Sequence, residues 1–189
     1  MKRVVLVLVA LAAGAAAAPV DYQLTPTHSF VHFEWMHGGL STLRGRFDKA
    51  AGRVTLDRDA REGRGSIELR LDSVNTGRPA LDAALRRALG AEGEAVSRFE
   101  LEALRFDGDR PVAALGRWRW RDTVLPLELR AERFDCYLNP LLRREVCGGD
   151  FVADVDIAAA GVRVDAAFGL GPTVRLRVQV EAIRQEPES

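Results

Sequence analysis

Apolar and polar side chains alternate along most of this chain, which is the pattern of antiparallel β-sheet with one face in water. In the clearest stretch, residues 174–183, valine and leucine alternate with arginine, glutamine and glutamate. The same period of two recurs over residues 31–36, 53–57, 66–72, 99–101, 104–106, 115–120, 125–130 and 150–157. Turn signals such as Gly148-Gly149 separate the runs. We therefore predict an all-β fold, a single antiparallel barrel of about eight short strands, because closure removes exposed strand edges.

One segment departs from the period of two. Residues 79–89 (PALDAALRRAL) carry three leucines four positions apart, which places them along one side of a helix. Pro79 suits the first helical turn, and Gly90 suits the stop. The pattern predicts one principal helix, inserted after the early strand at residues 66–72.

The stretch 27–47 (THSFVHFEWMHGGLSTLRGRF) carries an aromatic strand face and all three histidines of the protein. Val31, Phe33 and Trp35 fall on one face of a strand, and Gly38-Gly39 then breaks the run. A second extended piece follows up to residue 47. The pattern predicts a hairpin whose inner face is aromatic.

The histidines are candidate metal ligands. His28 and His32 share one parity on the strand, whereas His37 has the opposite parity. Zinc or copper needs three or four ligands that converge on a point, and no HExxH or similar spacing is present. We therefore expect surface or hydrogen-bonded histidines and no metal.

The sequence lacks the usual motifs of enzymes and of nucleic-acid-binding proteins. Ser41 and Ser73 stand in no GxSxG pattern, and no GxGxxG or Walker loop occurs. Lys and Arg number 27 against 27 for Asp and Glu, and no basic tract stands out. We expect no catalytic activity, no cofactor and no nucleic-acid partner.

The N-terminus has the three parts of a signal peptide. Lys2 and Arg3 precede an apolar core at residues 4–11, and small residues follow up to Ala18. The apolar core is shorter than the roughly 20 residues of a membrane-spanning helix, so we expect no stable membrane anchor. We predict cleavage after Ala17, which leaves residues 18–189 as one exported, periplasmic domain.

Export favours an oxidising compartment, and the chain has two cysteines, Cys136 and Cys147. Asn139-Pro140 lies between them and supplies a turn. A redox pair is the alternative to a structural disulfide, but the CxxC spacing that would support it is absent. We predict a disulfide between the two.

Aromatic residues recur at strand positions, among them Phe99, Phe106 and Trp118. A small barrel is either packed solid by such side chains or holds one slender ligand. The periodicity alone leaves both interpretations open.

Several short stretches, taken together in their order along the chain, are characteristic although each alone is weak. They are Tyr22–Trp35 (YQLTPTHSFVHFEW), Leu43–Phe47 (LRGRF) with Gly52, Val74–Arg78 (VNTGR), Leu81-Asp82, Leu85-Arg86, Arg98–Leu104 and Leu170–Ile183. Together they resemble the YceI-like family of exported polyisoprenoid-binding proteins. The segment 134–151 resembles the subgroup that carries a cysteine pair. Two departures are Leu81, where the family usually has Arg, and the run 116–127, which carries Arg and Trp in place of smaller residues.

The resemblance implies a lipocalin-like barrel that encloses a long isoprenoid tail, such as that of a quinone or a prenyl phosphate. The expected partner is therefore an isoprenoid lipid; a homodimer is left open. The helix is expected to close one end of the barrel. The expected lining residues are Phe33, Trp35, Ile67, Leu69, Leu71, Leu81, Leu85, Phe99, Leu101, Phe106, Trp118, Leu127, Leu176 and Val178.

Overall fold

The computed structural model describes residues 18–162 and 169–186, so the predicted signal peptide at residues 1–17 lies outside the described residues. The strands are β1 (Val20–Leu24), β2 (Phe30–His37), β3 (Ser41–Phe47), β4 (Ala50–Asp57), β5 (Glu62–Arg70), β6 (Val74–Asn75), β7 (Val96–Asp107), β8 (Arg110–Trp120), β9 (Thr123–Asn139), β10 (Arg144–Asp156) and β11 (Leu170–Arg184). A short 3₁₀ helix, Leu71–Ser73, precedes β6, and the α-helix α1 spans Pro79–Leu89.

The sheet closes into an antiparallel barrel of eight strands, as predicted. Its order is β1-β4-β5-β7-β8-β9-β10-β11, and β11 pairs again with β1. β11 pairs with β1 through residues 182–184 and with β2 through residues 170–179, so β1 and β2 are successive parts of one barrel wall. β3 and β6 continue the sheet beyond β2. Every pairing among the described strands is antiparallel.

The two ends of the barrel differ. At one end Leu170 pairs with His37 beside the β2–β3 turn, and α1 lies between the paired residues Arg70 and Val96. We call this the helix end. At the other end Ile183 pairs with Val146, close to the β9–β10 turn. We call this the hairpin end.

The helix has the predicted bounds because its ends are fixed locally. Pro79 stands in the first turn, where its missing N–H costs nothing. The Asp82 carboxylate accepts hydrogen bonds from the Thr76 backbone N–H at 2.7 Å and the Thr76 hydroxyl at 2.6 Å, which ties the first turn to the preceding loop. Gly90 ends the helix in the left-handed conformation with φ 60°. None of the helices in the described residues is long and apolar enough to cross a membrane.

Two inward-facing glycines make room for aromatic rings. A Cβ on Gly45 would meet the ring of Phe33, and a Cβ on Gly116 would meet both the ring of Phe99 and the backbone carbonyl of Glu100. The two rings therefore occupy the space that a Cβ at Gly45 or Gly116 would take.

The outer face is polar, as the alternation in residues 174–183 predicted. Arg175 binds Asp154 on β10 at 2.8 Å, and Arg177 binds Glu34 on β2 at 3.5 Å. Such exposed pairs contribute only about 0–1 kcal/mol each, so the interior decides the stability of the barrel.

The predicted count of about eight strands holds for the closed barrel, and the described residues contain three further strand segments, β2, β3 and β6, that continue the sheet. One prediction about the strands needs refinement. β9 is much longer than the predicted run at residues 125–130, since it continues to Asn139. Pro126 pairs with Arg117 near the start of β9, one of the positions expected for a proline in a strand.

Candidate functional site

A chamber of about 110 Å³ lies inside the barrel at the helix end. Leu85, Ala88 and Leu89 of α1 line it on one side, and Trp35 and Trp118 line it from the strands. We call this space the first chamber. The indole N–H of Trp35 donates to the Gly171 carbonyl at 2.6 Å, so its polar atom is satisfied by the backbone.

A second chamber of about 90 Å³ lies toward the hairpin end. Phe99, Leu101, Phe134 and Phe151 are among its lining residues, together with aliphatic side chains from the other strands. The lining of both chambers is almost wholly apolar, which suits a hydrocarbon and offers little to a polar solute.

The two chambers adjoin along the barrel wall. On β5, Ile67 lines the second chamber and Leu69, two residues later, lines the first. Phe99 and Trp118 are direct register partners, yet they also line different chambers. The enclosed space that the family resemblance implies is thus divided into two adjoining chambers.

Eleven of the fourteen residues predicted to line the interior do line a chamber. Seven line the first chamber: Phe33, Trp35, Leu69, Leu71, Leu85, Trp118 and Leu176. Four line the second: Ile67, Phe99, Leu101 and Val178. The remaining three, Leu81, Phe106 and Leu127, are half-buried and pack against the core without lining either chamber.

Several lining residues are not among those predicted from the sequence. Val31 and Val174 share the parity of neighbours that were predicted to face inward, and Phe151 and Val155 share one parity on β10. Alternation was therefore a sufficient signal for these. Tyr22 gave no such signal, because β1 is only five residues long.

The second chamber ends at a polar cluster formed by Tyr22, Arg58 and Glu145. The Tyr22 hydroxyl donates to Glu145 Oε2 at 2.7 Å, and the Arg58 guanidinium binds Glu145 Oε1 at 2.5 Å. Burial, and then the hydrogen bond to Glu145, raise the pKa of Tyr22 above 10.0. Burial would raise the pKa of Glu145, but hydrogen bonds from Arg58 and Tyr22 outweigh it and lower that pKa below 4.5. The cluster therefore holds a neutral phenol against a carboxylate.

The predicted disulfide is present beside this cluster. Cys136 on β9 and Cys147 on β10 are direct register partners and are bonded to each other. Cys147 also lines the second chamber, and Arg58 Nη2 lies 3.4 Å from its sulfur.

Among the described residues, the group of metal-ligand types that comes together is Cys136, Glu145 and Cys147, within 4.8 Å. The two cysteine sulfurs of this group are bonded to each other in the disulfide, so neither offers a thiolate to a metal.

The three histidines lie apart from both chambers. His28 Nδ1 is 3.1 Å from the Thr27 hydroxyl, and the ring of His32 stacks edge-on against Phe30. Burial, and then the nearby Arg46, lower the pKa of His32 below 6.5, so it is neutral at neutral pH. His37 is exposed beside the β2–β3 turn.

Comparison with known sequences identifies relatives of this barrel. A family model described as the YceI-like domain matches residues 22–182. A UPF0312 protein of Delftia acidovorans is 44% identical over 57 residues, which are 29% of this chain and 90% of that protein.

Comparison with solved structures finds the same fold at low identity. BcnA of Burkholderia cenocepacia aligns with a TM-score of 0.64 at 13% identity, over 84% of this chain and 98% of that one. A polyisoprenoid binding domain from Saccharophagus degradans, implicated in plant cell wall breakdown, gives 0.59 at 17% identity, over 87% and 98%. The YCEI protein of Campylobacter jejuni gives 0.64 at 15% identity, over 78% and 88%. Because the family model covers most of the chain and these structures share its barrel, the protein belongs to the YceI-like family.

Proposed function

We propose that this barrel binds one long isoprenoid lipid, with its tail threaded through both chambers. The observation that carries the proposal is the presence of two adjoining apolar chambers within one barrel interior, lined by neighbouring residues of the same strands. The similarity to a polyisoprenoid binding domain supports the same class of ligand.

The gain from binding is hydrophobic. Each buried CH₂ contributes about 0.8 kcal/mol, so a five-carbon isoprene unit contributes a few kcal/mol before costs. Ordering a flexible tail and restricting its motion offset much of that gain, so the net affinity is far smaller than the sum. A tail of this kind is nearly insoluble in water, and enclosure in a barrel allows it to cross an aqueous compartment.

The chambers must enlarge to accept such a tail. Together they enclose about 200 Å³, whereas pockets for drug-sized ligands span roughly 300–1,000 Å³. Ring rotation by Phe99 and Trp118, which are register partners on neighbouring strands and line different chambers, would join the two spaces. The proposal therefore includes repacking of these two rings on binding.

The protein would act in the periplasm as a carrier without catalytic activity or a metal. The signal-peptide pattern of residues 1–17 supports export, and the Cys136–Cys147 disulfide suits an oxidising compartment. A quinone or prenyl phosphate head would remain at one mouth of the barrel, in water.

Native mass spectrometry of protein purified from its own host tests the proposal. We expect a mass excess that corresponds to one prenyl lipid and that disappears after organic extraction. If every preparation is lipid-free, and if added quinones or prenyl phosphates do not bind, the proposal is wrong.

A matched pair of substitutions on α1 locates the bound tail. Ala88 lines the first chamber, whereas the adjacent Arg87 is exposed. Ala88→Trp should fill the first chamber and lower lipid occupancy, and Arg87→Trp should leave occupancy unchanged. Equal occupancy in the two variants would contradict a tail in the first chamber.

The small size of the chambers favours one alternative, a solidly packed barrel that serves as an interaction or stress-related module. In that case no lipid copurifies, and Ala88→Trp destabilises the fold through overpacking without any effect on ligand binding. The two functions therefore give opposite results in the same experiments.

A further inference from the structure

The β9–β10 turn carries an exposed apolar surface that the lipid-binding interior does not explain. Leu141 is 92% exposed, Leu138 71%, Tyr137 56% and Leu142 43%. We call these four residues the hairpin tip. Exposed apolar side chains grouped at one place on a protein surface commonly mark a site of interaction with a partner or a membrane.

The hairpin tip extends past the rest of the barrel. β8 pairs with β9 only as far as Arg130, and β11 pairs with β10 only from Val146 onward. Residues 138–145 therefore pair only with each other and form a two-stranded projection at the hairpin end. Before this projection, the edge of β9 that β8 leaves unpaired carries Glu132 and Asp135, charges of the kind that discourage pairing with a strand from another chain.

The turn is held in a defined shape. Asn139 Oδ1 accepts hydrogen bonds from the backbone N–H groups of Leu141 at 3.0 Å and Leu142 at 3.1 Å. The Arg143 N–H donates to the Asn139 carbonyl at 2.8 Å, and Arg143 takes a positive φ of 53°. The disulfide joins the strands at the base of the projection. The leucines are thus presented to solvent on a fixed turn, and little ordering is needed when they bind.

Two cationic side chains lie directly beside the apolar ones. Within the described residues, neither Arg143 nor Arg144 forms an ion pair with a carboxylate. The adjacent Glu145 is already bound by Arg58 and Tyr22. Leucine and tyrosine next to arginine are the composition of segments that enter the interface of an anionic bilayer.

We propose that the hairpin tip docks reversibly on an anionic phospholipid bilayer, with Leu141 and Leu142 inserted and Arg143 and Arg144 at the head groups. The surface is too small for a stable dimer, since four side chains expose on the order of 500 Å² and a standard interface takes about 800 Å² from each partner. A second copy of the chain is therefore the less favoured occupant.

The hairpin tip lies at the end of the barrel that holds the second chamber, so docking there would serve lipid transfer. This role in transfer rests on the proposed function. Phe134, Cys147 and Gly148 of the same hairpin line the second chamber. A docked tip would bring that end of the barrel to the membrane, from which an isoprenoid tail enters or to which it returns.

Cosedimentation of lipid-extracted mature protein with vesicles tests the docking without requiring a bound isoprenoid. We expect binding to vesicles of phosphatidylcholine with phosphatidylglycerol, weaker binding to pure phosphatidylcholine, and a decrease as salt is raised. Each of Arg143→Gln and Arg144→Gln should weaken binding to the anionic vesicles about fivefold.

Two equally exposed leucines at opposite ends of the barrel supply a matched control. Leu141 and Leu40 are both 92% exposed, but Leu40 lies in the β2–β3 turn at the helix end. Leu141→Asp should reduce binding about tenfold or more, whereas Leu40→Asp should bind like the parent protein. Thermal unfolding of each variant checks that the fold is intact.

Three results would overturn docking by the tip. They are unchanged binding by Leu141→Asp, loss of binding in Leu40→Asp alone, or a parent dimer that Leu141→Asp converts to monomer. Vesicle binding without any copurified isoprenoid would leave the docking intact and count against only the lipid carrier.

Discussion

The Tyr22 hydroxyl donates to Glu145 Oε2 at 2.7 Å, although the two residues are 123 positions apart in the chain. This bond ties the first strand to the base of the β9–β10 hairpin. Arg58, in the β4–β5 turn, binds the same carboxylate at 2.5 Å. Three segments that meet at the hairpin end are therefore joined through one side chain, Glu145.

We predict that Glu145 stabilises the fold in a pH-dependent way. Its pKa is lower in the folded chain than the ordinary 4.5, so its stabilisation is complete above that pH and is lost as the pH falls through the folded-state value. Glu145→Gln should lower the free energy of unfolding near neutral pH by on the order of 1 kcal/mol, allowing for solvent screening of the half-exposed Arg58. The difference from the parent protein should shrink in acid.

Denaturant unfolding at several pH values measures this effect. Glu102→Gln, at an exposed ion pair with Arg117, serves as the control and should change stability little. If the difference in free energy of unfolding between Glu145→Gln and the parent protein stays constant down to acid pH, the lost stability comes from packing and not from the charge.

The disulfide should be a major local source of stability. Cys136 and Cys147 close a short loop with a sequence separation of 11. On the chain-entropy model such a loop contributes about 3 kcal/mol, so the double substitution to serine should lower the free energy of unfolding by about that amount. Parent protein unfolded in the presence of a thiol reductant should match the double variant. If reduction leaves unfolding unchanged, the bond is not stabilising.

A single methyl group at Gly116 should destabilise the barrel. The added Cβ would meet the backbone carbonyl of Glu100 as well as the ring of Phe99, and backbone cannot move aside cheaply. We expect Gly116→Ala to cost about 1–3 kcal/mol in urea unfolding.

Gly93 is the matched control for that substitution, since nothing lies within 4 Å of a Cβ placed there. Gly93→Ala should be neutral or stabilise the fold slightly, by about 0.4–1 kcal/mol, because alanine restricts the unfolded chain. Equal effects in the two variants would contradict the close packing assigned to Gly116.

The barrel and the helix were predictable because their signals are local. Alternation in β11 comes from burial of one face, and Pro79 and Gly90 set the helix bounds within a few residues. The extension of β9 to Asn139 was not predictable, because this part of the hairpin leaves the barrel. With water on both sides, Leu138 and its neighbours show no alternation of buried and exposed positions.

The interior was predictable in part. Parity identifies which side chains point inward, and Trp35 and Trp118 lie at a chamber wall in the structure. The alternation does not tell how far along the barrel axis each inward side chain lies. It also does not predict the division into two chambers, because that division depends on how rings from distant strands pack. Phe106 and Leu127 have suitable parity, but they pack where no space remains. The Tyr22–Glu145 bond has no sequence signal, because it joins segments that meet only after closure.

Leu85 and Leu81 lie one turn apart on α1, and both were predicted to line the interior. The structure separates them, since Leu85 is buried and lines the first chamber, whereas Leu81 is half-buried outside it. We expect Leu85→Ala to lower the free energy of unfolding by about 2–5 kcal/mol and to enlarge the first chamber. Leu81→Ala should cost less, because it removes less buried surface.

The enlarged chamber gives this pair of variants a second readout. A ligand that binds only the folded state raises the unfolding midpoint, and at a given ligand concentration the rise is larger for tighter binding. If the tail occupies the first chamber, added isoprenoid should still raise the midpoint of Leu85→Ala, since the wider space removes part of the need for repacking. Thermal unfolding with and without a short-chain quinone measures this shift. An equal midpoint shift in Leu85→Ala, Leu81→Ala and the parent protein would place the ligand outside the first chamber, because a change in the size of that chamber would then not affect binding.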